Sequence, residues 1–218
     1  MTQQAISRFW EWGRKILCVG RNYREHCLEL KNPLPKQPLI FTKPTSAYLK
    51  EGNSIVIPKG CEEVHHEVEL GIVIGKPGTK VTENNAMEHV AGYVLALDMT
   101  ARDWQSVAKS KGWPWTMAKG FDTSCPIGNF IPKEDLKDPH NLDIWLKVNG
   151  LEKQKGNTSD MIFNIPFLIS YISQHISLES GDLILTGTPE GVGPVHANDV
   201  IDCGLGDDFT MSFNVTKD

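Results

Sequence analysis

The stretch VHHEVELGIVIG, residues 64–75, has two unlike faces when read with the two-residue period of a β-strand. Val64, His66, Val68, Leu70, Ile72 and Ile74 fall on one side, a largely apolar face suited to a core. His65, Glu67, Glu69 and Gly71 fall on the other. Two carboxylates that close raise each other's pKa unless a positive charge sits between them. Either this is the solvated outer face of an antiparallel sheet, or the acids are ligands of a hard cation. Taken by itself, the stretch favours the solvated face.

The rest of the chain bounds the possibilities. With 218 residues there is material for one sizeable core, as one large or two small domains. A hydrophobic content of 40% and a charged content of 22% are those of an ordinary globular protein. A net charge of −5 without a basic cluster argues against nucleic-acid binding. Its apolar runs are too short for a membrane span. Cys18, Cys27, Cys61, Cys125 and Cys203 form no C-x-x-C pair, and an odd, scattered set suits a reducing compartment. The N-terminus has no signal-peptide core. Ser7, Arg8, Arg14 and Lys15 faintly suggest a mitochondrial presequence, against which Glu11 counts. The expectation is a mitochondrial or cytosolic protein.

Strands are predicted at 16–20, 38–44, 54–58, 64–75, 91–98, 142–150, 182–187 and 208–215. Helices are predicted at 21–30, stopped by Asn32-Pro33, at 82–90 capped by Thr82, at 100–111, and at 164–176 capped by Asn164 with a proline in its first turn. Many short strands without regular βαβ alternation predict a β-rich α+β domain with a mixed, barrel-like sheet.

Several residues are able to carry chemistry. Asp98 ends an apolar strand, and with Glu67 and Glu69 would give three carboxylates, leaving half an octahedral shell open. Asp98 is equally a helix cap, although Thr100 with Asp103 would serve there. His26 and Glu29, three apart on a helix, share a face, either as a base with its orienting acid or as a surface pair. Lys119 stands among apolar and small residues, as an oxyanion-stabilising charge or a snorkelling side chain. His65 and His66 invite zinc without the spacing for it. Gly187, Gly191 and Gly193 permit close backbone approach or a plain turn, and LTGTPEGVGP lacks a P-loop ending.

In this order, CVGRNYREH, HHEVELGIVIG, LDMTARDWQ, MAKGFDT and LILTGTPEGVGP resemble the successive blocks of the fumarylacetoacetate hydrolase superfamily over almost the full length. The opening is most similar to its mitochondrial acylpyruvase and oxaloacetate decarboxylase branch. The resemblance implies a mixed β-roll with a short lid helix, residues 1–14 as an N-terminal extension, 15–218 as one catalytic domain, and a homodimer. It implies Glu67, Glu69 and Asp98 as ligands of Mg²⁺, with Mn²⁺ a possible substitute. It further implies His26 and Glu29 as a catalytic dyad, Lys119 as a catalytic lysine at the substrate, and Arg102, Gln105 and Thr188 as substrate-binding residues. Gly120 departs from the serine often found after that lysine. The implied activity is hydrolysis of acylpyruvates or decarboxylation of oxaloacetate through a common pyruvate enolate. Keto–enol tautomerisation of oxaloacetate, a related isomerisation, and a catalytically silent metal-binding scaffold are the alternatives.

Overall fold

The computed structural model describes residues 3–29 and 33–217. Its strands are β1 (Ile16–Gly20), β2 (Leu39–Lys43), β3 (Tyr48–Lys50), β4 (Ile55–Ile57), β5 (Val64–His66), β6 (Val68–Ile74), β7 (Val90–Leu97), β8 (Thr100–Ala101), β9 (Cys125–Pro132), β10 (Asp143–Val148), β11 (Leu151–Asn157), β12 (Leu183–Leu185), β13 (Gly193–Val195), β14 (Val200–Leu205) and β15 (Phe209–Lys217). The α-helices are α1 (Gln3–Ile6), α2 (Arg24–Glu29), α3 (Glu83–Ala86), α4 (Arg102–Lys111), α5 (Thr116–Lys119) and α6 (Ile165–Ser173).

A seven-stranded mixed sheet runs in the order β2-β1-β12-β6-β7-β9-β3 and curls into a half-barrel, because β2 and β3 are consecutive in the chain yet lie at opposite edges. A five-stranded sheet, β11-β10-β14-β15-β4, and a three-stranded one, β13-β5-β8, complete the expected β-rich architecture. Alternation along β6 sends Leu70, Ile72 and Ile74 into the larger core, where Leu168, Ile169 and Ile172 of α6 also pack. Val73 faces a second cluster of Ile16, Cys18, Val94, Ala96, Leu183 and Leu185, which Ile6 and Phe9 cover.

The strand expected over 64–75 is therefore corrected in two ways. It breaks at Glu67 into β5 and β6, which join different sheets. Its second face is also not solvated: Glu67, Glu69 and Gly71 are buried, because the sheet curls around that face. Asn164 caps α6 by accepting from Phe167 N–H at 3.0 Å, although the helix ends at Ser173, three residues early. Thr82 makes no side-chain cap, and its backbone carbonyl accepts from Asn85 N–H instead. The helix expected from residue 21 begins at Arg24, and its stop at Asn32 lies outside the described residues. No helix of the described residues is long and apolar enough to cross a membrane.

Ile72 is fully buried between Tyr93 of β7 and Ile184 of β12. Ile72→Ala should lower the unfolding free energy by about 2–5 kcal/mol, read from the urea midpoint at an unchanged m-value.

Candidate active site

One end of the curled sheet gathers the chemistry. β7 runs antiparallel to β6, with Glu69 opposite Ala96 and Val68 opposite Leu97, so Asp98 follows across from Glu67, whose backbone carbonyl accepts its N–H. β12 also runs antiparallel to β6, and its C-terminal end delivers Gly187 and Thr188 to the same place. β1, parallel to β12, brings Arg21 and then α2.

Glu67, Glu69 and Asp98 are all buried, and a carboxylate oxygen from each lies within 4.8 Å of the others. Lys119 Nζ donates to Glu67 Oε2 at 2.8 Å and to Asp98 Oδ2 at 2.6 Å. Arg102 Nη2 donates to Glu67 Oε1 at 2.6 Å. Glu69 receives the Gly187 N–H on Oε2 at 2.7 Å; Gly187, at φ 100°, has no room for a Cβ, which would meet Asn22.

The two glutamates consequently titrate in opposite directions. Burial opposes ionisation of Glu67, but the Lys119 and Arg102 cations outweigh it and hold its carboxyl well below the usual range. Burial, Asp98 and Glu67 together push Glu69 far above 4.5. Burial works against the Lys119 ammonium, yet Asp98 and Glu67 raise its pKa. Such an all-oxygen cluster fits a hard divalent cation. Asp98 Oδ1 strengthens the fit, since it is buried without a directed hydrogen bond and meets Lys43 Nζ only as an ion pair at 2.8 Å.

The pocket above the carboxylates is lined by His26, Arg102, Gln105, Lys119 and Thr188 among others. His26 is 5% exposed, with Nδ1 3.4 Å from Glu29 Oε2. Burial lowers its pKa, against the pull of Glu67 and Glu29. Glu29 is more exposed and accepts from Gly191 N–H through both oxygens at 3.2 Å. Gln105 accepts from Arg102 Nη1 at 2.8 Å. All nine expected residues thus converge on one end of the sheet.

Three alternatives read from the sequence fail. Lys119, 2% exposed, does not snorkel. Asp98 caps no helix, because α4 begins at Arg102. Nor do Thr100 and Asp103 form a capping box: the Thr100 hydroxyl donates to Asp98 O, and Asp103 accepts from Trp104 N–H, Glu62 N–H and the Cys61 thiol. His65 and His66 bind elsewhere. His65 Nδ1 accepts from Arg102 Nε at 3.3 Å and its Nε2 faces Glu63 at 2.6 Å, while His66 Nδ1 lies 2.8 Å from Gln154 Oε1. Gly120 has Pro44 and the Thr116 carbonyl 2.8 Å from where a Cβ would stand, so a serine side chain there needs its neighbours to shift.

Lys43 and Gln154 are site residues that the sequence reading missed. Lys43, fully buried, donates to Met99 O at 3.1 Å and to Lys119 O, besides pairing with Asp98. Its one sequence signal is a lysine ending an otherwise apolar strand. Gln154 lies in LEKQKGN, a polar stretch with no strand signal.

The fumarylacetoacetate (FAA) hydrolase C-terminal family model matches residues 15–215. The chain is 54% identical over 212 residues to the mitochondrial oxaloacetate tautomerase of Mus musculus, covering 97% of this chain and 96% of that protein. It is 57% identical over 212 residues to the mitochondrial oxaloacetate decarboxylase of Dictyostelium discoideum, covering 96% and 97%. The crystal structure of a fumarylpyruvate hydrolase from Pseudomonas aeruginosa, in complex with Mn²⁺ and pyruvate, superposes with a TM-score of 0.89 at 35% identity, over 94% of this chain and 90% of that one.

An isosteric change that removes one ionisable group tests the carboxylate cluster. Because Glu69 is raised in the fold, the folded state keeps a proton that the unfolded state releases, and stability falls as pH climbs above about 4.5 towards the raised value. Glu69→Gln removes that loss, so without metal its stability relative to wild type should grow with pH. Saturating Mg²⁺ should stabilise wild type by about 2.7 kcal/mol at a hundredfold excess over Kd and Glu69→Gln far less, both read from thermal melts.

Proposed function

The chain belongs to the fumarylacetoacetate hydrolase family, and on that footing we propose that it is a Mg²⁺-dependent enzyme of small 2-oxo acids, with Mn²⁺ able to substitute. The observation that carries this reading is the buried set of Glu67, Glu69 and Asp98 with Lys119 bonded between two of them. We assign residues 15–218 to one catalytic domain following the extension 1–14, and the working form to a homodimer. The relatives described above are named as mitochondrial, and we place this chain there too.

Bound by the three carboxylates, a divalent cation supplies Lewis-acid polarisation of the 2-oxo group. The remaining work belongs to the chain. Arg102, Gln105 and Thr188 bind and orient the 2-oxo acid carboxylate, and the Lys119 ammonium faces the oxygen on which negative charge develops. In acylpyruvate hydrolysis, neutral His26 takes a proton from water at Nε2 while Glu29 holds Nδ1–H. The water oxygen bonds to the distal carbonyl carbon, and the C–C bond breaks with its electron pair going to a pyruvate enolate. Oxaloacetate reaches the same enolate by losing CO2, and its tautomerisation moves one proton between C3 and the keto oxygen. Neither reaction needs an attacking water.

A specific observation favours the oxaloacetate reactions. Arg21 and Lys109 also line the pocket, and among the described residues neither forms an ion pair with a carboxylate. Desolvation first, then Arg102, Arg21 and Lys119, push the Lys109 ammonium down, which marks a crowd of cations at the rim. Such a rim suits a substrate with a second carboxylate. Arg21→Met should raise KM for oxaloacetate about tenfold or more, the scale of one charged hydrogen bond, and leave KM for acetylpyruvate nearly unchanged. Equal effects on both substrates would sink the assignment.

The dyad separates the reactions. Glu29→Gln should abolish acetylpyruvate hydrolysis with metal binding intact, while oxaloacetate turnover persists. Because burial lowers the His26 pKa, the base stays unprotonated as pH falls past 6.5. The acid limb of kcat/KM for hydrolysis should therefore lie below 6.5. Thermal stabilisation by Mg²⁺ without turnover of either substrate would instead support the silent scaffold.

A further inference from the structure

Gln154 is the one buried residue of β11, 1% exposed between charged neighbours, and its amide makes four hydrogen bonds. Oε1 accepts from Val68 N–H at 3.1 Å and lies 2.8 Å from His66 Nδ1. Nε2 lies 2.8 Å from Thr188 Oγ1 and 3.0 Å from the Pro189 carbonyl. Two of these partners have no choice of role: a backbone N–H only donates and a backbone carbonyl only accepts. They fix the orientation of the amide, and the other two contacts follow. His66 must carry a proton on Nδ1. Thr188 Oγ1 must accept from Nε2.

A threonine hydroxyl has one hydrogen. With Oγ1 already accepting from Gln154, that hydrogen is not spent on this contact, and Thr188 lines the pocket at 3% exposure. We infer that Gln154 is a positioning residue that holds the Thr188 hydroxyl as a hydrogen-bond donor towards the carboxylate of the substrate. The inference rests on the proposed 2-oxo acid function and extends it to a residue on a different sheet. Neither glutamate nor an apolar side chain can replace the amide. A carboxylate would confront the Pro189 carbonyl and call the Thr188 hydrogen back to itself. An apolar group would leave Val68 N–H without its acceptor and Thr188 Oγ1 without its donor.

The test measures oxalate, a mimic of the pyruvate enolate, binding to the Mg²⁺-loaded protein by calorimetry, alongside KM and kcat for oxaloacetate. Thr188→Val and Gln154→Glu should each weaken oxalate about 10- to 100-fold, the range of a hydrogen bond to a charged group. Both should raise KM more than they lower kcat, and Mg²⁺ affinity should stay within about twofold of wild type. The double variant should bind no more weakly than the poorer single one, because both changes remove the same donor. Nitrogen NMR of wild type should find His66 Nδ1 protonated, a readout that needs no variant to fold. Oxalate affinity unchanged in Gln154→Glu, losses that multiply, parallel loss of Mg²⁺ affinity, or a bare His66 Nδ1 would each overturn the role of Gln154. Failure of wild type to bind oxalate would instead bring down the 2-oxo acid function, and the inference with it.

Discussion

Three buried carboxylates that repel one another are the constraint on which the site depends. At a separation of 4.8 Å and an effective dielectric near 20, a like-charged pair costs about 3.5 kcal/mol, a large share of the stability of an ordinary domain. The chain meets this cost with positive charge brought from separate elements. Lys119 arrives on α5 and bonds both Glu67 and Asp98. Lys43 comes from β2 to pair with Asp98, and Arg102 opens α4 against Glu67. Among the described residues, Glu69 forms no ion pair and receives a backbone N–H, from Gly187. That difference in partners, and not position on the strand, sends the two glutamates' pKa values in opposite directions.

Such a cluster is a poor way to stabilise a fold, since removing either partner of a buried pair leaves an uncompensated charge. It makes sense as a binding device. The proton favoured on Glu69 and the ammonium of Lys119 offset charge that a divalent cation would otherwise offset. Lys119 cannot both neutralise Glu67 and Asp98 and face a developing enolate with its full charge. On the proposed function, a bound cation would free it for the second task and so would link metal occupancy to substrate binding through one side chain.

Much of this was legible in the sequence, and the illegible part has a common cause. The apolar face of residues 68–74 reported the core correctly, because its alternation reflects packing along a single strand. The opposite face misled: Glu67 and Glu69 look solvated unless one knows that the sheet curls around them, and curling depends on β2 and β3 lying at opposite edges. Lys43 and Gln154 were missed for the same reason. Each comes from another element, and only tertiary structure brings it to Asp98 or Thr188. Motif order pointed to the acids, the His26–Glu29 pair and Lys119, whereas no motif identifies a lysine or glutamine whose partners lie 34 to 88 residues away.

The carboxylate cluster and the His26–Glu29 pair differ in how firmly they are held. Glu69 extends from a strand buried on both faces, with Asp98 at the end of another. His26 and Glu29 ride on α2, six residues long, too short to be stable on local hydrogen bonds alone. That helix follows Arg21, held at φ 60°, and Asn22, whose side chain bonds Thr186 O and both backbone polar groups of Phe163. At its far end, Glu29 meets Gly191 N–H in a partly exposed contact. In the proposed mechanism, enolate stabilisation would draw on the rigid cluster, while water activation would add the weakly held helix. On the proposed function, reactions that need only the enolate would tolerate motion of α2 that hydrolysis would not, so one pocket would serve decarboxylation, tautomerisation and C–C hydrolysis without being equally built for all three.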